Sequence, residues 1–347
     1  MSGSVLTAWG VAGHDGAVDQ LRRSVITGQI RHATLIAGPE GIGKTTLATA
    51  FLKAVSCLAP PAPGDFCDAC RACGKINRGV HPDIQRFDLE SQAAAAAKSG
   101  AKNTTITIDT AREIRSAAAM RPIEGRWRAV MLDDAESMPE VAQEALLKTL
   151  EEPPPSLLLI LLADDVEALL PTIRSRCQVI ELRPVPKPAT EALLLNAGAS
   201  AERAAELAGL AQGRPGWAVR ALANPKLGEQ HLRDVDQAIE WVSAGAYDRL
   251  VTAVKNADRF SKARPEILGQ LGVLLAVWRD LLLMGAGLHD RVTYTSYSDR
   301  LAGVAASWQL PELKRAIRSV QTCMEDLETN VRPRLAMEAM VLQWPNR

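Results

Sequence analysis

The chain has 347 residues, 47% of them hydrophobic and 23% charged, with forty basic side chains balanced by forty acidic ones. That composition excludes a largely disordered chain. It also excludes a strongly basic nucleic-acid module, since residues 1–182 carry 19 Lys/Arg and 22 Asp/Glu and the remainder carries 21 and 18.

Met1–Gly10 lacks the basic start and apolar stretch of a signal peptide. Thr34-Leu35-Ile36-Ala37 reads as a strand. Gly38-Pro39-Glu40-Gly41-Ile42-Gly43-Lys44-Thr45 follows, fitting G-x-x-x-x-G-K-[ST], and a helix is predicted from about Lys44. A strand before and a helix after is the context that this motif requires. Its backbone N–H groups turn toward phosphate oxygens and the helix dipole favours an anion. Gly38, Gly41, Gly43, Lys44 and Thr45 are therefore candidate ligands of ATP or ADP with Mg²⁺. Lys44 would reach the β- and γ-phosphates and Thr45 the metal. A chance glycine-rich turn is the weaker alternative.

Four thiols come next, Cys57-x9-Cys67-x2-Cys70-x2-Cys73. Short C-x2-C steps let two thiolates share one Zn²⁺, and four thiolates leave no open position, so a metal here is structural. Unpaired thiols or disulfides are the alternative. In an intracellular protein, four thiols crowded so closely favour metal. Cys177 and Cys323 stand alone and read as ordinary thiols. Ser91–Lys102, with five consecutive alanines, reads as a loop or a frayed helix.

Ala129-Val130-Met131-Leu132 reads as a second strand, ending in Asp133-Asp134-Ala135-Glu136. Downstream of a phosphate loop, Asp133 is the candidate acid that holds Mg²⁺ through water; alone, it would read as a helix cap. Leu157–Leu162 is apolar throughout, as a strand covered on both faces should be. Strands alternating with helices predict an α/β domain with a parallel sheet. After the third strand comes Thr172-Ile173-Arg174-Ser175-Arg176-Cys177. Arg176 at the domain's edge could neutralise phosphate charge on a neighbouring subunit. By composition alone, a surface salt bridge is the better reading.

Arg183-Pro184-Val185-Pro186-Lys187-Pro188 marks a boundary. Thr190–Ala211 predicts a pair of helices, ended by Gly213-Arg214-Pro215-Gly216. Helical periodicity resumes from about Leu227, with turns near Gly285–Gly287 and Arg332-Pro333. Leu268–Met284 is the most membrane-like stretch, but Arg279 and Asp280 interrupt it, so a buried helix and no membrane span are expected.

These motifs resemble the AAA+ clamp-loader family across nearly the whole chain. The matching pieces are Arg31-His32-Ala33, the phosphate loop, the cysteine cluster, His81-Pro82-Asp83 and Pro122-Ile123-Glu124-Gly125-Arg126-Trp127. They continue with Ala145-Leu146-Leu147-Lys148-Thr149-Leu150-Glu151-Glu152-Pro153-Pro154, Ser175-Arg176-Cys177, and Asn330-Val331-Arg332-Pro333-Arg334-Leu335-Ala336. The resemblance implies a RecA-like α/β AAA+ domain over 1–183 with a zinc-binding insertion at 57–73. A helical lid over 184–225 and an all-α collar over 226–347 follow. It implies a cytoplasmic hetero-pentamer with gamma/tau and delta subunits, and contact with a sliding clamp and primer-template DNA through that complex.

Three departures separate this chain from the gamma/tau motor branch. Asp134 stands where the motor has a water-polarising Glu, one methylene longer, and positioning carries much of such catalysis. Ala163-Asp164 stands where the motor has a threonine-rich sensor. Gly216 stands where the motor's lid has an arginine. Arg176, which acts in trans, is kept. The pattern resembles the delta-prime branch, with weak or absent ATPase of its own, and an end soon after the collar agrees with it. A gamma/tau-type motor is the alternative.

Overall fold

The computed structural model describes residues 9–89, 106–329 and 331–345. The alanine-rich stretch lies outside the described residues. The chain forms two compact units, Met1–Ala204 with Ala211–Val219, and Ala205–Leu210 with Arg220–Arg347.

The first unit is built on a parallel sheet of β1 (Ala33–Ala37), β2 (Ile84–Phe87), β3 (Arg128–Leu132), β4 (Leu157–Ala163) and β5 (Gln178–Glu181), in the order β2-β3-β4-β1-β5. Alternation along β4 divides its side chains between two cores. Leu157, Leu159 and Leu161 face one core with Ile114 of α4 (Ile108–Ala118) and Leu146 and Leu150 of α5 (Glu140–Glu151). Leu158, Ile160 and Leu162 face the other, with Val18 and Leu21 of α1 (Asp15–Thr27) and Leu47 and Phe51 of α2 (Lys44–Ser56). Both faces are therefore covered, which is why β4 contains no polar residue. The sequence predicts β1, β3 and β4 to within a residue at each end. It does not predict β2 or β5. Both are four-residue edge strands, and Gln85, Arg86, Gln178 and Glu181 dilute their apolar signal.

Three further helices belong wholly or partly to this unit. They are α7 (Lys187–Asn196), the first residues of α8 (Ala201–Leu210), and α9 as far as Val219 (Pro215–Ala223). A short α3 (Arg71–Asn77) follows the cysteine loop, and a single turn, α6 (Pro171–Arg174), precedes Arg176.

The second unit is helical, with α10 (Pro225–Ser243), α11 (Ala246–Gly285), α12 (Ser298–Ala305), α13 (Leu310–Glu328) and α14 (Pro333–Leu342). Its axis is α11, which packs against the other four. This helix breaks locally at Ala263 (φ −135°, ψ 35°), two residues before Pro265. By length and composition a window of α11 could cross a membrane, but 56% of that window is buried inside the protein. Asp280, fully buried there, accepts the backbone N–H groups of Thr293 (3.0 Å) and Tyr294 (2.8 Å). Burial pushes its carboxyl up. Trp241, Trp278, Trp308 and Trp344 pack as a cluster with neighbouring ring centroids 5.3 Å apart. Buried Arg249 lies over Trp308 and Trp344 and donates to the carbonyls of Val242 and Pro345.

Candidate functional site

Strand register builds the phosphate loop. β1 and β4 run in parallel with Ala37 opposite Ala163, and the Gly38 N–H donates to the Ala163 carbonyl (3.0 Å). The loop after β1 and the residue after β4 therefore emerge side by side at the carboxyl edge of the sheet, where ligands of parallel sheets bind. Leu182 donates back to Ala37 (2.7 Å), closing the other side. A Cβ at Gly38 would come within 2.4 Å of the Leu182 carbonyl oxygen, so only glycine fits there. Lys44 opens α2 after Gly43 and is 9% exposed.

Lys44 donates to the Gly38 carbonyl (2.7 Å) and forms an ion pair with Asp164. Thr45 Oγ1 donates to Asp133 Oδ2 (3.3 Å), and Arg86 Nη2 donates to the same oxygen (2.9 Å). Thus the structure brings Lys44, Thr45 and Asp133 together as the motif implies. It adds Arg86 and Asp164, neither of which the sequence singled out as a partner. Arg86 sits on an edge strand that carries no clear signal, and its pairing depends on the β2–β3 register. Burial raises the Asp134 carboxyl, and the charge of Asp133 adds to it. Burial also raises Glu136 to about 7, with the charge of Asp164 contributing. The cradle fits a phosphate chain: a turn of three glycines with positive φ, a buried ammonium, and a hydroxyl beside a carboxylate.

Cys57 follows α2, Cys67 lies in the loop, Cys70 caps α3 and Cys73 is buried within it. All four Sγ atoms lie within 4.8 Å of one another. Tetrahedral zinc with Zn–S bonds near 2.3 Å needs S···S separations of roughly 3.8 Å; Cys57 and Cys67 are 3.6 Å apart. Backbone N–H groups of Cys67, Cys70 and Cys73 point at the sulfurs of Cys57 (3.3 Å), Cys67 (3.2 Å) and Cys70 (3.5 Å). Burial and the neighbouring sulfurs push Cys73 up to about 12. Burial works against Cys70 too, but the Cys73 and Leu58 backbone and the nearby thiols bring it down to about 6. Four such thiols ionise together only beside a cation, so the cluster can hold zinc. Trp9 anchors the knob: its indole donates to Gly64 (3.1 Å) and packs on Phe51 and Phe66.

Arg176 lies apart from these groups, after α6. It donates to Glu151 Oε1 (2.7 Å) at the end of α5 and to the Thr172 carbonyl (2.9 Å). An open cleft of about 630 Å³ runs beside it, lined by Arg23, Arg31, Ser175 and Gln178 among others. Another arrangement has no counterpart in the sequence reading. Asp83, 1% exposed, accepts the backbone N–H groups of Ile123, Glu124 (2.8 Å) and Gly125 (2.7 Å). His-Pro-Asp and the Pro122–Trp127 turn are thus two halves of one clamp, an exposed turn closed on a buried carboxylate.

A family model described as DNA polymerase III, delta subunit, matches residues 13–186, half of the chain. The chain belongs to this delta-subunit family. Among the family's relatives, the DNA polymerase III subunit delta' of Pseudomonas aeruginosa is 37% identical over 149 residues, 43% of this chain and 42% of that protein. The delta' subunit of Bacillus subtilis is 25% identical over 322 residues, 93% of each chain. The gamma/tau subunit of Mycobacterium tuberculosis is 32% identical over 184 residues, 53% of this chain and 30% of that protein. The match thus spans less than half the length of the Pseudomonas and Mycobacterium relatives. A delta-family chain that also resembles gamma/tau is what the mixture of kept and altered motifs predicts.

Proposed function

We propose that this chain is the delta-prime-type subunit of a DNA polymerase III clamp loader, acting mainly in trans. It joins gamma/tau and delta subunits in a cytoplasmic hetero-pentamer. Through that complex it helps to load the sliding clamp onto primer-template DNA. Its organisation is an AAA+ domain (1–183), a lid (184–225) and a collar (226–347) that meets neighbouring collars. Cys57, Cys67, Cys70 and Cys73 hold a structural Zn²⁺, which supplies a cross-link and no reaction. Gly38, Gly41, Gly43, Lys44, Thr45 and Asp133 are the residues that would hold ATP or ADP with Mg²⁺.

The observation that carries this reading is a contrast between two cations. Lys44, the cis group, is ion-paired inside its own chain with Asp164. Arg176, the trans group, is also paired within the chain, with Glu151, but where the Lys44 side chain is 9% exposed that of Arg176 is 35% exposed and borders an open cleft. Its guanidinium presents a planar fork suited to a neighbour's γ-phosphate, where it would stabilise charge as the phosphoryl group leaves. Such arginines are worth roughly 10³–10⁵ in turnover in other phosphoryl-transfer systems. Likeness to a delta' relative over 93% of both chains supports the same branch.

The test is a reconstituted ring with its motor and delta subunits, assayed for ATP turnover stimulated by clamp and primed DNA. Arg176→Ala slows the one site that it faces by about tenfold or more, so that total turnover falls by that site's share, and leaves assembly intact. Lys44→Ala changes turnover little. Normal turnover with Arg176→Ala would sink the proposal. Loss with Lys44→Ala alone would favour the gamma/tau-type motor, the reading that the complete phosphate loop otherwise supports.

A further inference from the structure

We propose that Asp164 is an internal substitute for a nucleotide phosphate, so that a nucleoside triphosphate enters this loop only by displacing that carboxylate from Lys44. The register of β1 and β4 delivers Asp164 to the mouth of the loop, because the Gly38 N–H is bonded to the Ala163 carbonyl. The Lys44 ammonium has three protons to donate. Two of them go to Asp164 and the Gly38 carbonyl. At 9% exposure it is poorly hydrated, so the Asp164 carboxylate, half-exposed at the loop's mouth, competes with any second anion for it.

The same closure continues around the loop. The Gly41 carbonyl accepts the N–H groups of Gly216 (2.7 Å) and Trp217 (3.3 Å) at the start of α9. A Cβ at position 216 would come within 2.8 Å of the Gly41 oxygen, so the glycine is what lets the backbone seat there. Thr45 is engaged by Asp133, and Asp133 by Arg86. The side chains that the motif would offer to a phosphate or its metal, Lys44, Thr45 and Asp133, are thereby all engaged within the chain. Of the two carboxylates in this set, Asp133 is paired with Arg86 and placed for the metal, whereas Asp164 occupies the Lys44 ammonium itself, so Asp164 is the one whose charge competes with a phosphate there. It is therefore the residue that determines nucleotide affinity at this loop.

The inference rests on the loop being a phosphate cradle, and it is independent of Arg176. The test is equilibrium binding of Mg-ATP to the isolated full chain by calorimetry. The proteins are wild type, Asp164→Asn, Asp164→Ala and the double variant Asp164→Asn/Lys44→Ala, each checked for native circular dichroism. Asp164→Asn and Asp164→Ala are expected to bind at least about tenfold more tightly than wild type. The double variant loses the gain, and adenosine, which carries no phosphate, shows none. Equal or weaker binding by Asp164→Asn overturns the role of Asp164 alone. Absence of binding in every protein overturns it together with the phosphate-cradle reading.

Discussion

Asp83 shows how much one carboxylate can organise. It is buried, and three consecutive backbone N–H groups converge on it. Desolvation alone would raise its carboxyl, but the Ile123, Glu124 and Gly125 N–H groups hold it below the usual range. The sign of the linkage follows. Stability from Asp83 is fully present above the unfolded value of roughly 3.9 and is lost as pH falls through the lower folded value. Asp83→Ala leaves three N–H groups without their acceptor and is expected to cost about 2–4 kcal/mol in urea unfolding at neutral pH. That penalty shrinks in acid, as wild type loses the same interaction. At this scale the sequence is legible where a motif names the partner type. Thr45 and Asp133 meet at hydrogen-bond distance, next to Lys44. Asp164 and Arg86 pair through strand register, which spacing along the chain does not encode, and His-Pro-Asp carries resemblance but not its clamp.

At the scale of elements, the cysteine knob joins the end of α2 to the start of α3. Its apolar support is narrow: Trp9 against Phe51 and Phe66, with Lys53 bridging to Asp68 (2.6 Å) across the Phe66 ring. A segment with so little core would depend on the proposed metal cross-link. Protein purified without chelator is expected to contain one zinc per chain by metal analysis. Cys73→Ser, which removes the buried ligand, lowers that content and renders 57–73 sensitive to proteolysis. Full-strength resistance without zinc would show that the knob holds itself. The elements that the sequence reveals are those with a strong apolar pattern, β1, β3, β4 and the long helices. The kink at Ala263 and the edge strands escape it. A single Pro265 marks the first only weakly, and half-exposed β2 and β5 mix polar with apolar residues.

For the whole molecule, two units with separate cores predict unfolding in more than one step. Denaturant titration followed by zinc release reports the first unit, and tryptophan emission weights the second. The two curves are expected not to coincide; superimposable curves would mean a single cooperative body. The α/β class and the helical remainder are legible from strand–helix alternation and from the proline-rich connector. Trp278, Trp308 and Trp344 read from the sequence as core residues and are buried, but the sequence conceals that they meet one another in the second core. Four of the chain's seven tryptophans converge there around α11. Indoles spaced 5.3 Å apart do not emit as independent lamps: excitation absorbed by one is passed to the others before it is radiated. Replacing Trp278, which touches both Trp308 and Trp344, therefore changes the colour and lifetime of light from residues that were never altered, and the second unit carries a collective spectral label of its own.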